Sequence, residues 1–248
     1  MREALARIRE VEIAPTTACN RRCWFCDPSI PHHQRTHPTH LALEVAYALA
    51  DDLTGLGYSG LLIIAGLGEP TLHPECAEMV RGIRHRWSGG RIQMYTNCAT
   101  DIGRVLLGEG AVDELIESLY EPMDRPPWHG RGTLSIEDHT TRRPETYHSR
   151  AGQVGPLLWP GRAERQHTKQ CRWFRRKTYL GASGQWHRCC NAVTPEPGWG
   201  GPLLSDLVSN PQYLALRSAL TVAPVNRAGL GICARCERPE DTWVPVRR

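Results

Sequence analysis

Residues 60–66 read GLLIIAG, five consecutive aliphatic residues between two glycines. An apolar run of strand length with no polar alternation has both faces covered, as in a parallel sheet flanked by helices. The neighbouring segments complete that pattern. Residues 41–57 (LALEVAYALADDLTGLG) carry apolar residues at helical spacing and stop at Gly55 and Gly57. Residues 74–87 (PECAEMVRGIRHRW) form a second helical stretch and 101–110 a shorter third. Strands are expected at 11–16, 60–66, 91–97, 114–120, 133–139 and 146–151. Alternating β and α elements predict a parallel sheet with crossover helices. Six strands in about 150 residues fall short of a closed eight-stranded barrel. The expected fold is therefore α/β, an open partial parallel β/α barrel of about six strands.

After residue 151 the text changes to Pro, Gly, Trp and Arg, with five of the ten cysteines. A small domain with little core of its own, pinned by metal, explains that shift. The expected division is a barrel over 1–151 and a small metal-pinned C-terminal domain over 152–248. The formal charge of +4 is mild and the arginines are spread along the chain, so no basic stripe points to nucleic acid. No apolar run approaches the eighteen residues or so of a spanning helix, so no membrane is expected. The N-terminal MREALARIRE is charged and has no hydrophobic region of a secretory signal. The expected location is the cytoplasm. Ten cysteines there argue for metal rather than disulfides.

The cysteines are grouped. Cys19, Cys23 and Cys26 form C-x3-C-x2-C (CNRRCWFC), directly after the first strand. Cys76 and Cys98 stand alone and suit small buried hydrophobes. Cys171, Cys189, Cys190, Cys233 and Cys236 come late. Three thiolates leave a tetrahedral zinc site one ligand short, and His32, His33 or His37 could supply it. Three thiolates also hold a [4Fe–4S] cluster with one iron open.

C-x3-C-x2-C with an aromatic residue, Phe25, before the third cysteine resembles the radical S-adenosylmethionine (SAM) superfamily. AGLGEPTLHPE (65–75) resembles that family's glycine-rich GGEP segment, with Leu67 standing between Gly66 and Gly68. The resemblance implies a [4Fe–4S] cluster on Cys19, Cys23 and Cys26 whose open iron binds SAM. It gives Phe25, Gly66, Gly68, Glu69, Asn97 and Ser118 the cofactor contacts. Cleavage of SAM there would give methionine and a 5′-deoxyadenosyl radical, with electrons from an external reductant such as flavodoxin or ferredoxin.

Cys171, Gly184 and Cys189 form C-x12-G-x4-C, followed by Cys233-x2-Cys236. This resembles the SPASM-like twitch extension of some radical SAM enzymes. It implies a second [4Fe–4S] cluster on Cys171, Cys189, Cys233 and Cys236, with Cys190 the alternative to Cys189. A zinc ribbon would use the same four thiolates. YHSRAG (147–152) resembles an Asn-Arg-Ala-Gly stretch common before such domains, with Ser149 in place of Asn. Arg150 is the candidate catalytic residue, a permanent cation for a developing alkoxide. An ion pair with Glu137 or Asp138 that fastens the domains is the other reading of Arg150.

Four protein thiolates leave the second cluster no open iron, so it would take an electron from substrate. The layout resembles the twitch dehydrogenases of aminoglycoside antibiotic biosynthesis. The function implied is oxidation of a secondary alcohol of an aminocyclitol or amino sugar to a ketone. Tyr95, Glu121 and Asp138 are candidate substrate contacts, with Asp124 beside them. The alternatives are a radical SAM epimerase with Cys190 or Cys98 donating hydrogen, a peptide-maturation enzyme, and a zinc-stapled interaction module.

Overall fold

The computed structural model describes residues 2–21, 23, 37–123, 125–140, 171–189 and 195–221. A short helix α1 (Arg2–Arg7) precedes β1 (Glu10–Ile13). Then come α2 (Leu43–Gly55), β2 (Leu61–Ile64), a 3-10 turn (Pro70–Leu72), α3 (Cys76–Arg86) and β3 (Arg91–Thr96). α4 (Ile102–Glu109), β4 (Glu114–Leu119) and β5 (Thr133–Asp138) follow. The later part contributes α5 (Arg172–Arg176), β6 (Lys177–Leu180), β7 (Trp186–His187), α6 (Leu204–Ser209) and α7 (Pro211–Thr221).

The seven strands of the described residues join one sheet in the order β5-β4-β3-β2-β1-β6-β7. Every pairing is parallel except β6 with β7. The sheet is open, as expected of a partial barrel. Buried positions on α2 (Ala46, Leu49, Ala50, Leu53) and α3 (Cys76, Met79, Val80, Ile83) repeat at i, i+3, i+4 and i+7. Val11, Ile13, Leu62, Ile64, Ile92, Met94 and Leu115 meet them from the sheet. The alternate residues of each strand therefore face the other, concave side. That side carries Glu10, Glu12, Gln93, Tyr95, Glu114, Ser118 and Glu137.

Trp87 closes the floor of this core: it is fully buried, stacks on Tyr58 at 5.9 Å and donates from Nε1 to Tyr58 O at 2.9 Å. Cys76 and Cys98 are buried, as their isolation in the sequence suggests.

The described C-terminal residues share this sheet and core. β6 runs parallel beside β1, in register from Glu10 opposite Lys177 to Ile13 opposite Leu180. Asp52 Oδ2 on α2 accepts the Ser205 N–H at 2.9 Å, which fixes α6 against the barrel helix. Phe174, Trp199 and Tyr213 pack edge to face or tilted at 5.2–6.0 Å. Buried Arg217 donates to Phe174 O at 3.0 Å and to the Tyr213 hydroxyl at 2.6 Å, and also to Arg175 O. The expected boundary at residue 151 and the expected strand at 146–151 lie outside the described residues. Among the described residues no helix is long and apolar enough to cross a membrane.

Candidate active site at the strand ends

Three loops leave the carboxyl ends of β1, β2 and β3 on one side of the sheet, where parallel β/α folds place their chemistry. The loop after β1 is pinned at its base. Thr17 N–H donates to Thr39 O at 2.9 Å, Leu41 N–H to Pro15 O at 2.7 Å, and Ala18 N–H to Thr16 Oγ1 at 2.9 Å. Thr16 Oγ1 also lies 2.9 Å from His40 Nδ1. Cys19 and Cys23 are both half-buried. Cys19 Sγ accepts the Arg21 N–H at 3.4 Å and is approached by Asn97 Nδ2 at 3.7 Å. Donors aimed at a sulfur suit a thiolate and tune a cluster built on it.

The loop after β2 lies against the cysteine loop with no room for a side chain at Gly66 or Gly68. A Cβ on Gly68 would sit 2.2 Å from Thr16 O and 2.6 Å from Ala18 O. Gly66 has φ of +125°, and a Cβ there would meet Ala14 Cβ at 2.5 Å. Glycine is required at both places.

Glu69 is 2% exposed, and its carboxylate is fully engaged within the protein. Oε1 accepts from Thr71 N (3.1 Å), Thr71 Oγ1 (2.7 Å) and Thr96 Oγ1 (2.7 Å), and Oε2 from Asn97 N at 2.6 Å. It caps the 3-10 turn and clamps the end of β3. The Asn97 amide nitrogen donates to Asn20 Oδ1 at 2.9 Å, while its own Oδ1 is buried with no partner among the described residues.

Soft thiol donors after β1, a side-chain-free cradle and an orphaned amide oxygen fit a [4Fe–4S] cluster with SAM beside it. Asn20 and Thr16 join this site without having been singled out from the sequence, whereas Thr96 belongs to the Tyr95-Thr96-Asn97 run at the end of β3 that the family resemblance points to. Asn20 stands inside the cysteine motif, so its place there is a signal; Thr16 carries none.

Ser118 is buried on the concave face and lies opposite Glu137 in the β4–β5 register. Tyr95 shares that face. Burial first, and then Glu137, Glu12, Glu114 and Glu10, push its phenol well above the ordinary range. Lys177 Nζ pairs there with Glu12 at 2.5 Å. Glu121 is exposed and binds Arg21 at 2.7 Å. Asp138 falls on the opposite face from Glu137 by strand alternation, and its carboxylate accepts from Thr140 N at 2.8 Å and Thr140 Oγ1 at 2.6 Å.

Cys98 has φ of +63°, and burial, then the Glu117 charge, push its thiol up to about 11. Cys171 Sγ accepts the Phe174 N–H at 3.4 Å, and Cys189 lies two residues beyond β7. Gly184 occupies the β6–β7 turn. Phe25, Cys26, Asp124, Arg150, Cys190, Cys233 and Cys236 lie outside the described residues.

Residues 13–125 match the radical SAM superfamily model. A 65-residue stretch is 32% identical to 7-carboxy-7-deazaguanine synthase of Halobacterium salinarum, covering 26% of this chain. The match thus spans 23% of the length of that relative. Among solved structures, BtrN in complex with AdoMet and 2-DOIA is similar over 92% of both chains, with a TM-score of 0.70 at 17% identity. SuiB of Streptococcus suis, bound to its precursor peptide SuiA, is similar over 93% of this chain and 71% of its own, with a TM-score of 0.58 at 14% identity. These likenesses establish a shared fold. Thiols after β1, a glycine cradle after β2, an Asn at the end of β3 and the matched segment lead to one conclusion: residues 13–125 form a radical SAM domain.

Proposed function

We propose that this chain is a radical SAM dehydrogenase that oxidises a secondary alcohol of an aminocyclitol- or aminoglycoside-type intermediate to a ketone in antibiotic biosynthesis. The observation that carries the reading is where two of the late cysteines lie. Cys171 and Cys189 bracket β6 and β7, and β6 is hydrogen-bonded to β1, the strand that leads into Cys19. With Cys233 and Cys236 they make four thiolates, a closed donor set with no position for substrate. Such a site suits electron exchange, and a two-electron oxidation needs an acceptor.

When bound, the two clusters and SAM supply a 5′-deoxyadenosyl radical that removes hydrogen from carbon and an acceptor for the remaining electron. The chain's own residues do the rest. Cys19, Cys23 and Cys26 hold the first cluster, and Cys171, Cys189, Cys233 and Cys236 the second. The Gly66–Gly68 cradle and the Asn97 amide orient SAM, with Phe25 and Ser118 beside it. Carboxylates around Tyr95 on the concave face suit a substrate ammonium group. Arg150 stabilises the oxygen as negative charge develops on it. That BtrN, with the same architecture, holds AdoMet and 2-DOIA supports the substrate class. A flavodoxin- or ferredoxin-type protein supplies electrons.

The test is a screen of 2-DOIA and other aminocyclitols and amino sugars, deuterated at each carbinol carbon, with anaerobically reconstituted protein. A product two mass units lighter than unlabelled substrate, with deuterium in 5′-deoxyadenosine, supports the reading. A product of unchanged hydrogen count means epimerisation and overturns it.

A further inference from the structure

Five side chains at and beyond the ends of β4 and β5, one of them from the cysteine loop, form a connected group that the cofactor contacts do not use. The Tyr120 and His139 rings stack with centroids 4.8 Å apart and planes at 12°. Arg21, from the cysteine loop, lays its guanidinium over the same Tyr120 ring at 5.5 Å and pairs with Glu121. His139 Nε2 lies 3.2 Å from Glu137 Oε2. The His139 N–H donates to Leu119 O at 2.7 Å, which extends the β4–β5 ladder and fixes the backbone below the ring.

The His139 side chain is 7% exposed, and its Nδ1 is buried without a hydrogen-bond partner among the described residues. Arg21 Nε, against the same tyrosine, is likewise buried and unpartnered among them. A neutral imidazole that donates from Nε2 to a carboxylate keeps a lone pair on Nδ1. In that tautomer His139 is an oriented acceptor with no donor among the described residues. By strand alternation Tyr120 and His139 belong to the concave face that bears Ser118, Tyr95 and Glu137.

We infer that His139 Nδ1 takes the proton of the substrate hydroxyl, with Glu137 as the positioning residue that fixes its tautomer. The inference rests on the alcohol-oxidation reading. Going from alcohol to ketone, the C–H and O–H bonds break and the C=O bond forms. The carbon-bound hydrogen atom ends in 5′-deoxyadenosine, the hydroxyl proton on His139, and the remaining electron on an iron–sulfur acceptor. Arg150, always protonated, can stabilise the oxygen but cannot take the proton. Charged and titratable groups around the ring region are Glu137 and Asp138 from β5, Tyr120 just past β4, Arg21 with Glu121 from the loop side, and Tyr95 on β3, which feels the Glu137 charge. Glu137 and Asp138 favour the imidazolium and Arg21 opposes it.

With reconstituted protein and a deuterated 2-DOIA or other active alcohol, ketone formation should fall along an acid limb as pH is lowered, because a protonated imidazole has no lone pair left to take the hydroxyl proton. His139→Gln should lower ketone formation about 10²–10⁴-fold, far more than it lowers deuterium transfer to 5′-deoxyadenosine, and remove that limb. Glu137→Gln should move the limb to lower pH, because the imidazolium loses its carboxylate. In ¹⁵N-histidine-labelled protein, Nδ1 of His139, assigned by its loss in His139→Gln, should be unprotonated at neutral pH. An unchanged ketone rate and limb in His139→Gln, or a protonated Nδ1, overturns the inference and leaves the dehydrogenase reading standing. If His139→Gln fails to fold, an unmoved limb in Glu137→Gln overturns it. If wild-type protein gives no ketone from any of these alcohols, both fall.

Discussion

Glu69 Oε2 accepts the backbone N–H of Asn97 at 2.6 Å, across 28 residues of sequence. With the bonds from Thr71 and Thr96 to Oε1, it fixes the end of β3 to the loop after β2. The motif points to Glu69 as a cofactor contact, while its carboxylate is occupied by protein donors. Its route to SAM runs through the backbone it holds and through Asn97. Glu69→Gln leaves one acceptor oxygen and turns an NH₂ toward donors, which costs about 1–3 kcal/mol for each buried group left unpaired. The expected result is SAM binding weakened about 10–100-fold, as for other supporting-shell losses. The change in the reduced cluster's EPR spectrum on SAM titration measures it; unchanged affinity would remove Asn97 from the SAM contacts.

The cysteine assignment makes a stoichiometric prediction. Anaerobic reconstitution should give about eight irons per chain, from two four-iron clusters. Replacing Cys19, Cys23 and Cys26 by Ala should halve that content and abolish SAM cleavage. Replacing Cys233 and Cys236 should also halve it, yet leave measurable SAM cleavage. Tight zinc and no iron at the late cysteines would remove the electron acceptor from the proposed function.

The barrel strands were legible because their signals are local. GLLIIAG at 60–66 places β2, and helical spacing at 41–57 and 74–87 places α2 and α3. β6 was not legible: KTYL is four residues long, lies among arginines and is a strand because β1 offers it an unpaired edge. α1, at the charged N-terminus, was missed as well. In the site, motif spacing found the thiols and glycines, since chain geometry demands them at fixed offsets. Glu69 to Asn97 and His139 to Tyr120 are joined only by folding, and no spacing announces them. Asp138 was half legible. The alternation of Leu134, Ile136 and Asp138 sets it on the face opposite Glu137.

Glu117 makes a pH prediction. Its side chain is 0% exposed on the helix-facing side of β4, bound by Arg104 at 2.7 and 2.8 Å and by Arg125 at 2.6 Å. Burial pushes its carboxyl up, but the two guanidiniums together outweigh that and hold it below the usual range. A carboxylate lowered by folding stabilises the protein above its unfolded value, about 4.3, and loses that contribution as pH falls through the folded value. Glu117→Gln removes the carboxylate shared by two partly buried arginines, of which Arg125 keeps Asp101 at 3.1 Å, and should cost about 3–5 kcal/mol at pH 7. Urea denaturation at pH 7 and pH 4 should show a smaller loss on acidification in the variant. An equal loss in both would place the acid sensitivity elsewhere.

The last prediction concerns the contact between the two loops that frame the site. A Cβ on Gly68 would lie 2.2 Å from Thr16 O, 2.6 Å from Ala18 O and 2.9 Å from Thr16 C, all backbone atoms. No rotamer change relieves a backbone collision, so Gly68→Ala must push the loop after β2 away from the cysteine loop. The Glu69 N–H bond to Ala18 O, 2.7 Å long, breaks with it. The expected variant folds, since the core below is untouched, but loses SAM binding about 10²-fold or more, the scale on which an ångström-sized displacement acts. Gly55→Ala is the control: nothing lies within 4 Å of its Cβ position at the end of α2, and it should gain about 0.4–1 kcal/mol. SAM titration and thermal unfolding of both variants read the two effects separately. SAM affinity retained in Gly68→Ala would show that the cradle can move without disturbing the site.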